Sequence, residues 1–217
     1  MQLKVYSVFI LVFFPLWGFL APTKIVLTGG PGVGKTMLIK ELDRRGFNVV
    51  PEVATIIIEQ AIKQGLPHPA HDLESLKIFI NDICAMQKAK EQELFDNNLY
   101  FLDRGFHDPV AFCAFYNIEV PEQLREATVC AGYTYVFILD FLDVYENSVI
   151  RRETPETSKK LHALILETYQ QYGYTLGQNL FCVPPFLYDE KNRKLGVQES
   201  VAKQVDFILQ ISLADII

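Results

Sequence analysis

The sequence predicts an α/β protein in which helices cover both faces of a parallel sheet. Five short apolar runs alternate along the chain with segments that repeat apolar residues at helical spacing. A glycine-rich turn joins the first apolar run to the first helical segment. In sheets of this class, ligands bind beyond the carboxyl ends of the strands. The residues that follow each apolar run are therefore the first candidates for function.

The five predicted strands are short apolar runs that end at glycine, proline or acidic residues. They cover residues 25–27, 47–50, 99–102, 135–139 and 179–183. The second run ends at Pro51 and Glu52, the third at Asp103, and the fourth at Asp140. If the sheet is parallel, these carboxylates lie at the same edge as the glycine-rich turn.

The segments between the strands carry helix signals. The predicted helices cover residues 37–45, 53–64, 73–95, 108–116, 121–130 and 155–172, followed by a last helix that Ser200 caps. In the helix at 73–95, apolar residues recur at i, i+3, i+4 and i+7. Asp108 and Pro109 fit the N-cap and first position of their helix, and Pro155 opens a later one.

Composition narrows the class of protein. With 217 residues, 50% of them hydrophobic, the chain suits one domain with a substantial core. The formal net charge is −6 and no basic block occurs, which argues against nucleic acid as a partner. The four cysteines are widely spaced and form no C-x-x-C pair, so we interpret them as reduced thiols. We expect no transition metal held by protein side chains.

The glycine-rich turn, KIVLTGGPGVGKT at residues 24–36, contains a phosphate-binding pattern. The pattern G-x-x-x-x-G-K-[ST] is filled by Gly29, Gly30, Pro31, Gly32, Val33, Gly34, Lys35 and Thr36. Glycines leave room for backbone N–H groups to surround a phosphate, and the following helix directs its N-terminal dipole at the same anion. Lys35 would reach the β- and γ-phosphate oxygens, and Thr36 would place its hydroxyl on Mg²⁺. The sequence therefore predicts binding of ATP or GTP with Mg²⁺.

The acids and arginine at the third and fourth strand ends are candidates for metal and phosphate contacts. Asp103 has the form of an acid that supports Mg²⁺, directly or through water, and Asp140 is its rival. Arg104 could clamp a phosphate with two hydrogen bonds. Asp103 could instead be only a turn carboxylate that caps the next helix, and Arg104 only a surface arginine paired with an acid. We prefer Asp103 because Arg104 and Gly105 follow it.

Two further places could contribute to catalysis. Glu52 could accept a proton from a substrate hydroxyl, or it could serve only as a helix-start carboxylate. Arg151 and Arg152 lie in a polar, lid-like segment near residues 142–160 and could reach the γ-phosphate on closure. The alternative for these arginines is a solvated charged surface.

Longer stretches resemble a known family. The resemblance rests on VLTGGPGVGKT, NVVPEVA, FLDRGFHDPVAF, YENSVIRRETPETSKKLHALILETYQQYGY and VPPF, which are similar to the NadR/Ttd14-like AAA-domain family of P-loop NTPases. It implies a three-layer fold similar to nucleoside and nucleoside-monophosphate kinases, with sheet order 2-3-1-4-5. One branch resembles a kinase of nicotinamide riboside, and another a eukaryotic protein that binds GTP and phosphoinositides. By analogy with deoxynucleoside kinases, Glu52 matches their carboxylate and Asp103–Arg104 their acid–arginine pair, whereas Gly105 replaces their usual serine.

The hydrophobic segment at residues 5–21 has three interpretations: a weak signal peptide, a short membrane anchor, or an extension from an upstream start codon. Export conflicts with a phosphate loop, because ATP and GTP are abundant only inside the cell. We therefore expect a cytoplasmic domain over residues 23–217. Residues 1–22 would form a tail outside the core, and this tail is the candidate for membrane contact.

Two hypotheses follow for the function. The first is an ATP-dependent kinase of a small molecule, nucleoside or nucleotide-like, whose identity the sequence does not name. The second is a module that uses GTP or ATP as a switch and binds membrane lipids or a protein partner. The hydrophobic tail favours the second hypothesis, and the lack of an N-K-x-D base-reading motif weakens its GTP form.

Overall fold

A computed structural model describes residues 21–95, 97–141 and 154–214 of the protein. Its strands are β1 (Thr23–Thr28), β2 (Asn48–Val50), β3 (Leu99–Asp103), β4 (Tyr135–Leu139) and β5 (Leu180–Val183). They form one sheet of order β2-β3-β1-β4-β5, in which all neighbouring strands are parallel. The predicted fold class and strand order are thus confirmed.

Helices cover both faces of the sheet. They are α1 (Lys35–Arg44), α2 (Val53–Lys63), α3 (Leu73–Gln92), α4 (His107–Phe115), α5 (Glu122–Val129), α6 (Pro155–Gln171) and α7 (Val197–Ala214). Successive strand residues point to opposite faces, so the sheet separates two cores. Val26 and Leu102 pack with residues of α3 to α6, whereas Leu27 and Phe101 pack with residues of α1 and α7. This is the three-layer arrangement that the resemblance implies.

The N-caps predicted for two helices, α4 and α7, are wrong. Helix α4 begins at His107, so Asp108 lies inside its first turn and is not its N-cap. Its carboxylate is fully buried and accepts hydrogen bonds from residues far away in the sequence. Helix α7 begins at Val197, three residues before the predicted cap. Ser200 is buried in that first turn, and Glu199 instead accepts a hydrogen bond from the N–H of Gly196 at 2.9 Å.

Two predicted segments lie largely outside the described residues. Residues 142–153 include Arg151 and Arg152, so the lid-like segment near 142–160 is described only from Thr154 onward. Thr154 caps α6 by accepting a hydrogen bond from the N–H of Thr157 at 3.2 Å. Residues 1–20 of the tail predicted at 1–22 are also outside the described ranges. No helix in those ranges has both the length and the apolar character needed to cross a bilayer.

Candidate functional site

The phosphate loop, residues 29–36, connects the end of β1 to the start of α1 as predicted. Gly29, Gly32 and Gly34 have φ angles of 137°, 90° and 93°, a region that disfavours residues with a Cβ. A Cβ on Gly29 would also lie 2.8 Å from the carbonyl oxygen of Leu139, at the end of β4. At this position the loop needs glycine both for its backbone conformation and for its close approach to the sheet.

Lys35 is buried within the loop. Its ammonium donates hydrogen bonds to the carbonyl oxygens of Gly29 (3.0 Å) and Gly30 (3.1 Å). Burial and the nearby Arg104 together lower the pKa of Lys35 to about 8, against the opposing effect of the carboxylates of this site. The lysine stays mostly protonated at neutral pH and therefore supplies a positive charge inside the loop.

Asp103 and Thr36 offer oxygen ligands suited to Mg²⁺, which prefers hard oxygen donors. Asp103 ends β3, is 6% exposed, and its buried Oδ1 has no hydrogen-bond partner within the part of the chain described. Burial and the nearby Glu52 raise the pKa of Asp103 to about 6, against the opposing charges of Lys35 and Arg104. Thr36 lies exposed in the first turn of α1. A buried carboxylate oxygen without a donor fits a bound cation.

Arg104 adopts a backbone conformation that is unusual for a residue with a side chain, with φ of 73°. Its N–H donates to the carbonyl oxygen of Leu27 at 3.0 Å, which extends the pairing of β3 with β1. The turn directs the guanidinium back across the sheet edge. There its Nε donates to Glu52 at 2.6 Å, and its Nη1 donates to Asp108 at 2.6 Å and to the Gly29 carbonyl at 3.2 Å. Arg104 therefore joins the phosphate loop to the acids beside it.

Glu52 precedes α2, but its carboxylate does not cap that helix. Its Oε1 accepts the bond from Arg104, and its Oε2 accepts a 2.8 Å bond from the hydroxyl of Thr55. Burial by itself would raise the pKa of Glu52, but the positive charges of Arg104 and Lys35 lower it below its usual value. Glu52 is thus ionised at neutral pH, and it is about one quarter exposed, within reach of a ligand.

Asp108 is a site residue that the sequence did not reveal. Its buried carboxylate accepts hydrogen bonds from the hydroxyls of Thr28 and Tyr169, from the N–H of Gly105 and from Arg104. Four donors around one carboxylate fix both it and the guanidinium in place. The spacing of four between Arg104 and Asp108 is the one local signal that could have indicated this pair.

A cavity of about 90 Å³ lies beside this charged group, among residues of α2, α3 and α4. Its wall is mainly apolar and includes the rings of Phe79, Phe106 and Phe112. Glu52 and Arg104 belong to the same lining, together with Asp103 and Asp108. The arrangement offers an apolar surface to a ring and charged groups to a reacting hydroxyl.

The rival acid, Asp140, has different surroundings. Its side chain is 42% exposed, and its Oδ1 lies 3.7 Å from Nε2 of His162 on α6. It follows β4, on the side of β1 opposite to β3.

Of the predicted site residues, the structure brings together Lys35, Glu52, Asp103 and Arg104. Arg151 and Arg152 fall outside the described ranges.

Solved structures similar to this chain include nucleotide and nucleoside kinases. A NadR protein in complex with NR has a TM-score of 0.59 and 14% identity, covering 87% of this chain and 50% of its own. A thymidylate kinase from Ehrlichia chaffeensis has a TM-score of 0.56 and 11% identity, covering 88% and 99%. A deoxyadenosine kinase from M. mycoides has a TM-score of 0.54 and 16% identity, covering 90% and 100%. At these identities the likeness shows a shared fold.

The chain spans about half the length of the NadR proteins it resembles. None of the curated proteins matches the sequence significantly. The sequence profile of a family described as an AAA domain matches residues 24–178, which is well over half of the 217 residues and includes the phosphate loop. The protein therefore belongs to this AAA-domain family of P-loop NTPases, as the sequence resemblance predicts.

Proposed function

We propose that the protein is an ATP-dependent kinase that transfers the γ-phosphoryl group to a hydroxyl of a small molecule. The proposal rests on one observation: Lys35, Glu52 and Arg104 lie close together beside an apolar cavity. The cavity lining includes Glu52 and Arg104, and Arg104 also contacts the phosphate loop. A site for a phosphate donor thus adjoins a site for an acceptor.

The donor nucleotide would occupy the phosphate loop. Its N–H groups and Lys35 would hold the phosphates, as in other loops of this pattern. Bound Mg²⁺ would neutralise phosphate charge, with the carboxylate of Asp103 and the hydroxyl of Thr36 as its protein ligands. Arg151 and Arg152 would approach the γ-phosphate from the lid-like segment. We also propose that the protein is cytoplasmic, since ATP is available there as the donor.

The cavity favours an acceptor without a phosphate group, such as a nucleoside. Arg104 is the one cation among the described residues that line it, and two carboxylates already pair with that guanidinium. A phosphorylated acceptor would need further cations to balance its charge. The phenylalanine rings would instead pack against a flat, uncharged ring. Among the predicted acceptors, these features support a nucleoside over a nucleotide.

Catalysis would depend mainly on positioning and charge. The ionised Glu52 would orient the acceptor hydroxyl and accept its proton. The hydroxyl oxygen would form a bond to the γ-phosphorus while the bond from that phosphorus to the β–γ bridging oxygen breaks, releasing ADP. Lys35 and Arg104 would stabilise negative charge on the transferred group.

A product assay tests the proposal. The protein is incubated with Mg-ATP and a panel of nucleosides and nucleotides, and phosphorylated products are separated by chromatography. We expect a product from at least one nucleoside, and its loss in Glu52→Gln. Hydrolysis that needs no acceptor and is unchanged in Glu52→Gln would contradict the proposal and favour the switch module that binds lipids or a protein.

A further inference from the structure

One peptide group of the phosphate loop is held from both of its sides. The carbonyl oxygen of Gly29 accepts hydrogen bonds from Lys35 (3.0 Å) and Arg104 (3.2 Å). The N–H of the same peptide group belongs to Gly30 and donates to Nδ1 of His162 at 3.3 Å. In a trans peptide these two groups point in opposite directions. His162 therefore binds the side of the peptide that faces away from the two cations.

The orientation of this peptide matters because glycines stand on both sides of it. With no Cβ on either residue, the peptide plane can rotate with little steric resistance from its own chain. A rotated plane would direct an N–H at Lys35 and Arg104 in place of the carbonyl. Both cations would then lose the carbonyl oxygen to which they now both donate. The orientation of one peptide therefore affects Lys35, on the nucleotide side of the site, and Arg104, beside the cavity for the phosphoryl acceptor.

Helix α6 packs tightly against Gly30. A Cβ at this position would lie 2.7 Å from the carbonyl oxygen of Ser158 and 3.1 Å from Cβ of His162. It would also lie 2.9 Å from the ring of Phe141, a ring whose centroid is 5.0 Å from that of His162. The imidazole is thus placed by packing, and glycine at position 30 permits the backbone to reach it.

The surroundings of His162 favour the form that can accept this bond. Its side chain is 16% exposed, and burial lowers the pKa of His162 below its usual value, so the ring is neutral at physiological pH. A neutral ring that accepts at Nδ1 carries its hydrogen on Nε2, which faces the carboxylate of Asp140 at 3.7 Å. Asp140 therefore favours the tautomer in which Nδ1 is the acceptor.

We propose that His162 is a positioning residue that fixes the Gly29–Gly30 peptide and, through its carbonyl, Lys35 and Arg104. His162 connects α6, the helix that follows the segment with Arg151 and Arg152, to the phosphate loop. The effect on nucleotide affinity rests on the proposed function, because it requires that the loop bind a nucleotide. The effect on the peptide itself does not.

Two variants separate the hydrogen bond from packing. His162→Phe keeps a ring beside Phe141 but removes the acceptor. His162→Asn loses the ring but keeps a hydrogen-bond acceptor, because Oδ1 of asparagine and Nδ1 of histidine are separated from Cα by the same number of covalent bonds. Thermal unfolding establishes that each variant is folded. Hydrogen exchange of the Gly30 amide, measured by NMR in nucleotide-free protein, reports the bond directly, and calorimetric titration with Mg-ATP reports its consequence.

We expect the Gly30 amide to exchange about 5- to 10-fold faster in His162→Phe than in the wild type, the size of one lost hydrogen bond. Nucleotide affinity should fall by a similar factor, and His162→Asn should restore both values to within about threefold. Equal Gly30 protection in all three proteins would overturn the inference. Lost protection with unchanged nucleotide affinity would overturn the positioning role. A wild type that binds no nucleotide would contradict the proposed function, while the exchange data would still decide whether His162 holds the peptide.

Discussion

Replacing Asp103 by asparagine should stabilise the nucleotide-free protein while impairing its use of Mg²⁺. The carboxylate is 6% exposed, and its Oδ1 has no hydrogen-bond partner within the described part of the chain. Burial and Glu52 raise its pKa from 3.8 to about 6. A raised carboxyl pKa means that the folded protein resists ionisation of Asp103, so the ionised form costs stability.

The size of this cost follows from the shift. A change from 3.8 to about 6 is roughly two pKa units, and each unit corresponds to about 1.4 kcal/mol. The cost at neutral pH is therefore on the order of 3 kcal/mol. Well below pH 3.8 the group is protonated in both the folded and unfolded states, and the cost is absent. It grows as the pH rises from 3.8 to about 6 and is constant above that.

Urea unfolding of the wild type and Asp103→Asn, in buffer with a chelator, measures this difference directly. The variant should be more stable by about 2–3 kcal/mol at pH 7.5, with the advantage falling toward zero near pH 4. Asp140→Asn is the matched control, because that carboxylate also follows a strand of the sheet, β4, but is 42% exposed. Its substitution should change the unfolding free energy by less than about 0.5 kcal/mol.

The stabilised variant should lose function. Titration with ATP should show an increase in affinity on adding Mg²⁺ for the wild type and for Asp140→Asn, and a much smaller increase for Asp103→Asn. If Asp103→Asn were less stable than the wild type at pH 7.5, or if its stability difference did not change with pH, the assignment of an uncompensated buried charge would be wrong. An unchanged response to Mg²⁺ in Asp103→Asn, with a lost response in Asp140→Asn, would assign the metal to the rival acid.

Two further substitutions test the loop and the buried ion pair. Lys35→Ala removes the cation inside the loop. It should weaken ATP binding by about 100-fold in calorimetric titration, because charge-assisted hydrogen bonds to phosphate are stronger than neutral ones. Unchanged affinity would contradict the assignment of residues 29–36 as a phosphate loop. Asp108→Asn removes the buried one of the two acids that neutralise Arg104. It should lower the urea-derived unfolding free energy by about 3 kcal/mol, because it breaks an ion pair whose carboxylate is fully buried. A change below about 1 kcal/mol would show that the buried acid does not stabilise the fold.

The local features of the site could be predicted from the sequence. The glycine pattern and the apolar run before it specify a strand, a loop and a helix, and the structure has all three. Glu52 and Asp103 follow apolar runs, so a parallel sheet brings them to one edge. The order of the strands came from the family resemblance, since alternation of strands and helices alone does not fix which strands are neighbours.

The contacts between distant parts of the chain could not be predicted. Asp108 precedes a proline near a helix start, and this local pattern is typical of an N-cap. Its actual role depends on Thr28 and Tyr169, which are 80 and 61 residues away in sequence. The bond from Gly30 to His162 spans 132 residues. Such pairs arise from the packing of α4 and α6 against the sheet, and no short sequence pattern encodes that packing.

The most direct test of phosphoryl transfer at this site is a single-turnover reaction with ATP labelled in its γ-phosphoryl group. The acceptor is a nucleoside that yields product in the panel assay, and the binding of both substrates is measured alongside. We predict that the wild type moves the label onto the nucleoside. Glu52→Gln should transfer it at least about 100-fold more slowly while binding both substrates with affinity within about threefold of the wild type. Equal transfer rates in the two proteins, or label released only as inorganic phosphate, would contradict the role given to Glu52 and the proposed kinase function.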